Sequence, residues 1–380
     1  MEENPFKYGK AVTGENFIDR EEELKELGSD VLSSQNLIIY SDRRLGKTSL
    51  ILELFRRIES EDVIPIYIDM YGITSIKGLI ERVIGSTVSN SYSQFEKVGR
   101  ILKDFLKGLR PKIILEEGKM SVEVYWEEGQ LKNLPTALDL PQKVAEKKGK
   151  KIVIAFDEFQ EVSNLDGRQI EKMMRSSFQL HDRVSYIFAG SKTHMLKEMF
   201  EDENRAFYNF GKIKILGNIP REEFFIGIKD RFERTEKNID DSIISTILDI
   251  TDGHPYYTQQ LCHELWYMSP RAGPDEEHVY VALDNIINYR GDHYEQQWSA
   301  LGSNIQKSLL VALANEDEID VYSEHTIREY QLKTASHAQK AYESLKSKGL
   351  VRDKKIIDIF FRRWILDLIE NKKHTFKSDL

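Results

Sequence analysis

The chain has 380 residues, of which 40% are hydrophobic and 31% are charged, and this length suits two or three domains of roughly 100–200 residues each. Its net charge of −9 argues against wholesale binding of nucleic acid, and its single cysteine, Cys262, excludes a disulfide framework and a cysteine-rich metal cluster. Because it lacks an apolar run of roughly 18 residues and its first residues lack the basic and apolar parts of a signal peptide, we expect a soluble, cytoplasmic protein that does not contact a membrane.

Helices and strands alternate from residue 1 to about residue 217. The predicted elements are, in chain order, a helix at 20–33, a strand at Leu37–Tyr40, a helix at Lys47–Ile58, a strand at Val63–Asp69, a helical region from about 75 to 107, a β-hairpin insertion at 111–130, a helix at Pro141–Lys147, and strands at Lys151–Asp157, Val184–Gly190 and Lys212–Leu216. This alternation predicts a doubly wound α/β domain with a five-stranded parallel sheet.

The pattern becomes helical after Pro220. Helices are predicted at Glu222–Arg234, Asp240–Thr251 and Pro255–Met268. From about residue 303, three further helices precede a short hairpin at Leu350–Asp358, an order typical of a winged-helix unit. In such a unit, Ala335–Lys348 occupies the position of the recognition helix.

The turn after the first strand has the layout of a phosphate-binding loop. Gly46, Lys47 and Thr48 stand at the start of an amphipathic helix. In such a loop the backbone N–H groups cradle phosphates, a lysine reaches the outer phosphates and a threonine hydroxyl ligates Mg²⁺. The pattern therefore predicts a nucleoside triphosphate with a divalent metal as the ligand.

The loop departs from this pattern at its start. Ser41 stands where the pattern has glycine, and its Cβ is expected to force a different backbone angle or to narrow the approach of a phosphate. Asp42 adds negative charge close to phosphates, which should weaken binding unless Arg43 or Arg44 offsets it.

Two carboxylates, Asp157 and Glu158, follow the most apolar strand of the chain. Asp157 is suited to hold Mg²⁺, and Glu158 is suited to orient and polarise an attacking water. Ser191 follows another strand and therefore lies on the same edge of the sheet, where it can contact the γ-phosphate or that water. The alternatives are a helix cap for Asp157, a plain turn for Ser191 and a solvated charge for Lys192.

Short motifs occur in a fixed order along the chain: Phe17-Ile-Asp-Arg-Glu21, Arg43-Arg-Leu-Gly-Lys-Thr-Ser49, Phe156-Asp-Glu-Phe-Gln160, Ala189-Gly-Ser191, Gly253-His-Pro255 and Ile359-Phe-Phe-Arg-Arg-Trp364. This series resembles the archaeal ATPase family, P-loop proteins of the AAA+/STAND group related to origin-recognition ATPases. The resemblance implies an AAA+-like P-loop NTPase domain over residues 1–217, a helical lid over 218–300 and a winged-helix domain over 301–380.

The resemblance also assigns roles to individual residues. The residues implied in nucleotide binding are Phe17, Ile18 and Arg20 near the adenine, Arg44, Leu45, Gly46, Lys47, Thr48 and Ser49 in the phosphate loop, and His254 and Pro255 of the lid near the β-phosphate. Thr48 and Asp157 would hold Mg²⁺. Glu158 would be the catalytic base, with Lys47 and Ser191 as further catalytic residues. The family often has arginine just before the fifth strand, where this chain has Lys212, so no arginine finger is assigned and hydrolysis is expected to be slow.

The implied function is a Mg²⁺-dependent ATPase that uses ATP and ADP to drive a conformational switch. One alternative is a slow or non-hydrolysing STAND-like signalling module that binds a protein partner. The other is an ATP-gated DNA-binding protein that uses residues 335–355 of the winged helix. An oligomer is compatible with each of these functions.

The charge distribution bears on the DNA alternative. Residues 326–380 hold 13 Lys or Arg against 7 Asp or Glu, a net charge of +6. Because the whole chain carries −9, residues 1–325 carry a net charge of −15. A basic C-terminal module on an acidic body suits a polyanionic partner, although a solvated basic face explains the same residues.

Overall fold

A computed structural model describes residues 3–18, 20–60, 62–92, 105–106, 109–116, 119–125, 129–191, 193–316 and 319–378. The chain forms two compact units. One consists of Gly9–Ile219, and the other combines Met1–Tyr8 with Pro220–Leu380. Within the described residues, no helix is both long enough and apolar enough to span a bilayer.

The described residues of the Gly9–Ile219 unit form seven strands. They are β1 (Leu37–Ser41), β2 (Val63–Asp69), β3 (Arg110–Glu116), β4 (Lys119–Tyr125), β5 (Lys151–Asp157), β6 (Val184–Gly190) and β7 (Lys212–Leu216). Five of them form one sheet in the order β2-β5-β6-β1-β7, and every neighbouring pair is parallel. The predicted five-stranded parallel sheet is therefore confirmed.

Helices cover both faces of this sheet. They are α1 (Glu21–Leu32), α2 (Lys47–Ile58), α3 (Ile76–Ser91), α4 (Gln130–Leu138), α5 (Leu140–Lys148), α6 (Gly167–Phe178) and α7 (Thr193–Glu201). Successive strand residues point to opposite faces, so Leu37 and Ile39 enter the apolar core beneath α1 and α2, whereas Ile38 and Tyr40 enter the core beneath α3 to α7. In open α/β sheets a ligand binds at the carboxyl ends of the strands, and β1, β5 and β6 end at Ser41, Asp157 and Gly190.

The region between α3 and β5 was the least predictable part of this unit. Strands β3 and β4 pair in antiparallel fashion, so the predicted hairpin is present. It ends at Tyr125, however, and α4 already begins at Gln130. Helix α4 could not be predicted from the sequence pattern, because it contains Pro135 and a proline usually ends or breaks a helix. The predicted helical region from 75 to 107 is confirmed as far as Ser91, and most of its remainder lies outside the described residues.

In the second unit, the residues that the structure describes form helices and one small hairpin. Its elements are α8 (Arg221–Arg234), α9 (Asp241–Thr251), α10 (Pro255–Met268), α11 (Glu276–Tyr289), α12 (Gly291–Ser299), α13 (Asn304–Asn315), α14 (Glu324–Glu329), α15 (Ala335–Ser347), β8 (Val351–Arg352), β9 (Lys355–Ile356) and α16 (Ile359–Ser378). The predicted order of three helices followed by a hairpin is confirmed in α13 to β9. Helices α11 and α12 were not predicted.

The first residues of the chain pack into this helical unit. The side chain of Phe6 is fully buried, and its ring centroid lies 5.3 Å from that of Phe232. The amide of Asn4 donates to the carbonyl of His263 at 2.9 Å, and Nδ1 of His263 lies 2.6 Å from the carbonyl oxygen of Phe6. Residues 4–6 thus complete a core that is otherwise built from the second half of the chain.

Candidate active site

The loop between β1 and α2 begins with ordinary strand geometry. Ser41 is the last residue of β1, where it pairs with Leu216 of β7, and its hydroxyl donates to the carbonyl of Asp42 at 3.1 Å. The left-handed residues of the loop are instead Arg44, with φ 69°, and Gly46, with φ 85°. The expectation that Ser41 forces an unusual backbone angle is therefore wrong, because a strand conformation is open to any residue.

Lys47 and Thr48, at the start of α2, both reach Asp157 at the end of β5. The ammonium of Lys47 forms an ion pair with Oδ1 of Asp157 and lies 3.2 Å from Oε1 of Glu158. The hydroxyl of Thr48 donates to Oδ2 of Asp157 at 2.7 Å. The structure thus brings together the predicted phosphate-binding lysine, the predicted metal ligands and the predicted base.

Tyr67 of β2 is a member of this cluster that sequence reasoning missed. Its hydroxyl donates to Oδ2 of Asp157 at 2.8 Å. Burial and the neighbouring carboxylate of Asp157 raise the pKa of Tyr67 well above its usual value, so the hydroxyl remains protonated as a donor. The one signal in the sequence was a polar hydroxyl near the carboxyl end of an otherwise apolar strand.

Glu158 has a left-handed backbone, with φ 51°, and several donors hold its carboxylate. The hydroxyl of Ser191 donates to Oε2 at 2.9 Å, the backbone N–H of Ser191 lies 3.4 Å from the same oxygen, and the amide of Gln160 also donates to it. Ser191 therefore lies at the predicted edge of the sheet, where its partner is Glu158. Gln160, although part of the quoted motif, had no predicted role.

Both carboxyl groups of the cluster are ionised at neutral pH. Burial opposes ionisation of Asp157, but the ammonium of Lys47 and two hydroxyl donors outweigh it and hold the pKa of this carboxyl below its usual range. Burial also opposes ionisation of Glu158, but the charge of Lys47 and the side-chain donors lower its pKa as well. The site can therefore accept protons and attract cations.

The predicted adenine-side residues lie in the same unit as the phosphate loop. Arg20 is buried, with a left-handed backbone (φ 83°), and its guanidinium donates to the carbonyls of Leu45 at 3.3 Å and Gly217 at 2.8 Å. Ile18 is buried, and Phe17 packs at the margin of the core beneath α1 and α2. Arg20 therefore supports the phosphate loop from the protein side. Asp19 of the same motif lies outside the described residues.

The segment before Phe17 is anchored along α2. The hydroxyl of Ser49 accepts a hydrogen bond from the backbone N–H of Val12 at 3.1 Å. One turn further along the helix, the carboxylate of Glu53 accepts from the backbone N–H of Gly14 at 2.8 Å. Ser49, predicted as a nucleotide-binding residue, thus uses its side chain to hold this segment.

Lys212 does not reach the carboxylate cluster. It begins β7, at the amino end of the sheet, and its ammonium lies 2.8 Å from both Glu26 and Asp30 of α1. The phosphates of a nucleotide at the loop would lie at the opposite, carboxyl edge. Lys212 therefore does not take the place of the arginine that the family often has. Lys192, for which a solvated charge was the alternative, lies outside the described residues.

His254 and Pro255 belong to the other unit. His254 is the N-cap residue of α10 and Pro255 is its first residue, after Gly253 with φ 60°. The imidazole ring of His254 lies 4.5 Å from the ring of Tyr257, measured between centroids. Both residues therefore form a helix start, and their approach to a β-phosphate stays a prediction.

The residues present suit Mg²⁺ held jointly with a nucleotide. In the part of the chain that the structure describes, no group of three or more His, Cys, Asp or Glu side chains could hold a metal ion by itself. Thr48 and Asp157 offer a hydroxyl and a carboxylate, which are hard oxygen donors. Mg²⁺ is commonly bound through one or two such groups, with phosphates and waters supplying the other ligands.

Comparisons with solved structures show where this fold recurs. The Walker-type ATPase PABY2304 of Pyrococcus abyssi superposes with a TM-score of 0.63 at 17% identity, over 95% of this chain and 99% of that one. The ORC2 protein of Aeropyrum pernix superposes with a TM-score of 0.58 at 15% identity, over 95% of this chain and 98% of that one. At these identities the likeness shows a shared fold. No curated protein sequence matches the chain.

Two family models match separate parts of the chain. A model described as "Probable winged helix domain" matches residues 292–367, in agreement with the predicted winged helix. A second model, described as an ATPase domain predominantly from Archaea, matches residues 17–261 and so takes in the phosphate loop, both carboxylates and the Gly-His-Pro turn. Since that match covers well over half of the 380 residues, the chain belongs to this predominantly archaeal family of ATPase domains.

Proposed function

We propose that this protein binds ATP together with Mg²⁺, hydrolyses it and uses the change of nucleotide as a conformational switch. The observation that carries the proposal is the cluster in which Lys47 and Thr48 meet Asp157 and Glu158 at the carboxyl edge of the sheet. The ORC2 structure of Aeropyrum pernix is described as ADPNP–ADP complexes, which supports an adenine nucleotide as the ligand.

The side chains have separate tasks in this proposal. The ammonium of Lys47 contacts two carboxylates, and phosphates would draw it away from them because they carry more charge. Glu158, which is then relieved of one donor, accepts the proton of the attacking water. Mg²⁺, when bound at Thr48 and Asp157, supplies neutralisation of the charge that develops on the transferred phosphoryl group.

Two substitutions test this proposal directly. We expect Lys47→Ala to abolish both ATP binding and Mg²⁺-dependent hydrolysis. We expect Glu158→Gln to retain binding and to lose roughly 10²–10⁴-fold in kcat, the usual contribution of a general base. Lys172→Ala, which removes an exposed ammonium from α6, is the matched control. Equal turnover in the wild type and in both site variants would refute hydrolysis at this site.

A slow or non-hydrolysing signalling module that binds a protein partner is the second candidate function. The position of Lys212 favours it. Glu26 and Asp30 hold the ammonium of Lys212 at the amino edge of the sheet, so this lysine does not supply a positive charge to the phosphates at the carboxyl edge. Among the hydrogen bonds that the structure describes, none joins an arginine to Asp157 or Glu158. The nucleotide content of the purified protein, measured together with its turnover rate, distinguishes the two: retained ADP with negligible turnover supports the signalling module.

A further inference from the structure

The two oxygens of Glu158 share one partner and differ in another. The hydroxyl of Ser191 lies 2.9 Å from Oε2 and 3.2 Å from Oε1. Oε1 also lies 3.2 Å from the ammonium of Lys47, a group that the phosphates of ATP would attract, whereas Oε2 also accepts from the amide of Gln160. Lys47 therefore holds Oε1 from the ligand side of the site, and Gln160 holds Oε2 from the protein side.

The orientation of the Gln160 amide follows from this contact. A carboxylate only accepts hydrogen bonds, so the nitrogen of the amide must face Glu158 and its oxygen must point away. That oxygen, Oε1 of Gln160, is buried and has no hydrogen-bond partner among the described residues. Because a buried acceptor without a partner lowers stability, the position of the amide is not explained by stability alone.

Gly190 at the end of β6 makes room for this amide. A Cβ atom at that position would lie 2.0 Å from Oε1 of Gln160, closer than two atoms without a bond can approach. Gly190 has no positive φ that would itself demand glycine. A Cβ atom there would also lie 2.8 Å from a side-chain carbon of Leu196. The space taken by the Gln160 amide and by Leu196 is thus the steric reason for a glycine at this position.

We propose that Gln160 is a positioning residue for ATP hydrolysis, which fixes Oε2 of Glu158 so that Oε1 is directed at the attacking water. This inference rests on the function proposed above. Once Lys47 turns to the phosphates, Oε1 keeps only the longer of the two contacts with the Ser191 hydroxyl, and the amide of Gln160 still holds Oε2. Without Gln160, the carboxylate of Glu158 can rotate, and Oε1 is no longer held in the orientation that faces the attacking water.

Gln160→Leu tests this role, since leucine fills a similar volume and removes the donor together with the unpartnered oxygen. We expect kcat to fall roughly tenfold, because the base is still present but poorly oriented, while KM for ATP stays within about twofold. We expect Gly190→Ala, which displaces the same amide, to give the same separation of kcat from KM.

The decisive measurement is a double-mutant cycle with Glu158→Gln. If Gln160 acts through Glu158, Gln160→Leu lowers kcat in the wild type and has no further effect in the Glu158→Gln background. Gln142→Leu is the matched control, because Gln142 is a buried glutamine that donates to Asp182 and Glu146 away from the site. We expect its kcat to equal that of the wild type.

The outcomes separate the two proposals. Wild-type turnover with unchanged kcat in Gln160→Leu, or equal losses in both backgrounds, overturns the positioning role and leaves the ATPase proposal intact. Absence of Mg²⁺-dependent turnover in the wild type overturns hydrolysis and the positioning role together. A loss that is confined to the wild-type background supports both.

Discussion

Glu53 shows at the scale of one residue how the segment before α1 is held to the phosphate-loop helix. Its carboxylate is almost fully buried and pairs with Arg56 and Arg57, each at 2.8 Å, while it also accepts from the backbone N–H of Gly14. Hydrogen bonding to Arg56 is the main cause that lowers the pKa of Glu53 to about 2, against the opposing effect of burial. The ionised form is therefore the one that the fold stabilises.

We predict that Glu53→Gln lowers the free energy of unfolding by about 1–2 kcal/mol at neutral pH, because it weakens charge-assisted hydrogen bonds to two arginines that are themselves partly exposed. A carboxyl with a lowered pKa stabilises the fold above its unfolded pKa, near 4.5, and this contribution is lost as the pH falls towards about 2. The difference in free energy of unfolding between the wild type and the variant, measured by urea unfolding, should therefore become smaller as the pH falls over that range.

Glu22→Gln is the control, since it removes an exposed carboxylate from α1. A difference between wild type and Glu53→Gln that stays constant from pH 7 to pH 2 would contradict the assignment.

The residues of the candidate site were predictable to different degrees. Lys47 and Thr48 follow from a short pattern whose spacing reflects the geometry of a loop that opens a helix. Tyr67 could not be found in this way, because it meets Asp157 only after two strands distant in sequence have paired. Gln160 is only two residues from Glu158, but the sequence pattern does not show that its amide turns onto that carboxylate. Arg20 was expected near the adenine, but its contacts with the loop carbonyls became visible only in three dimensions.

At the scale of elements, α15 presents a polar face that suits the predicted recognition helix. Its buried residues are Ala338, Ala341, Tyr342 and Leu345, and its opposite side exposes Lys340 and, further along, Lys346. Its N-cap residue, Thr334, accepts from the backbone N–H of His337. The buried residues fix the helix in the fold, and the basic ones are available to phosphates.

We predict that replacing Lys340 and Lys346 with alanine weakens binding of duplex DNA and lowers the salt dependence of binding by about two units of slope, because each phosphate contact contributes about one. Fluorescence anisotropy over a series of salt concentrations measures both quantities. Lys172→Ala in the other unit is the control. Affinity and slope that remain unchanged in the double variant would show that this helix is not the DNA-binding element.

Regular elements were predicted well where one periodic pattern spans them. The apolar strands β1, β5 and β6 and the amphipathic helix α2 agree with the sequence prediction to within a residue. Helix α4 was missed because it contains a proline. The hairpin partner of β3 was found, because a Gly-centred turn between apolar runs is a local signal.

At the scale of the whole molecule, the least predictable feature is the path of the chain. Residues 1–217 were assigned to one domain, yet Met1–Tyr8 folds with Pro220–Leu380. The pairing of Phe6 with His263 joins residues 257 positions apart, and periodicity carries no information about contacts at such a separation. The division of the second unit into a lid over 218–300 and a winged helix over 301–380 stays a prediction.

We predict that Phe6→Ala destabilises the helical unit by about 3–5 kcal/mol, the usual cost of truncating a buried aromatic side chain. Hydrogen exchange should accelerate in α8 and α10, which carry Phe232 and His263, and should be unchanged in β1, β5 and β6. Tyr289→Ala, which removes a side chain that is 91% exposed, is the control. Equal acceleration in the sheet would contradict the assignment of the first residues to the helical unit.

The placement of the first residues has a consequence for the order of events during synthesis. His263 is synthesised 257 residues after Phe6, which at roughly 5–20 residues per second is a delay of about 13–50 seconds. The Gly9–Ile219 unit can complete its sheet within that time, while the side chain of Phe6 is still exposed to water. Burial of Phe6 in the helical unit is therefore among the last steps of folding, because it requires helices that are synthesised in the second half of the chain.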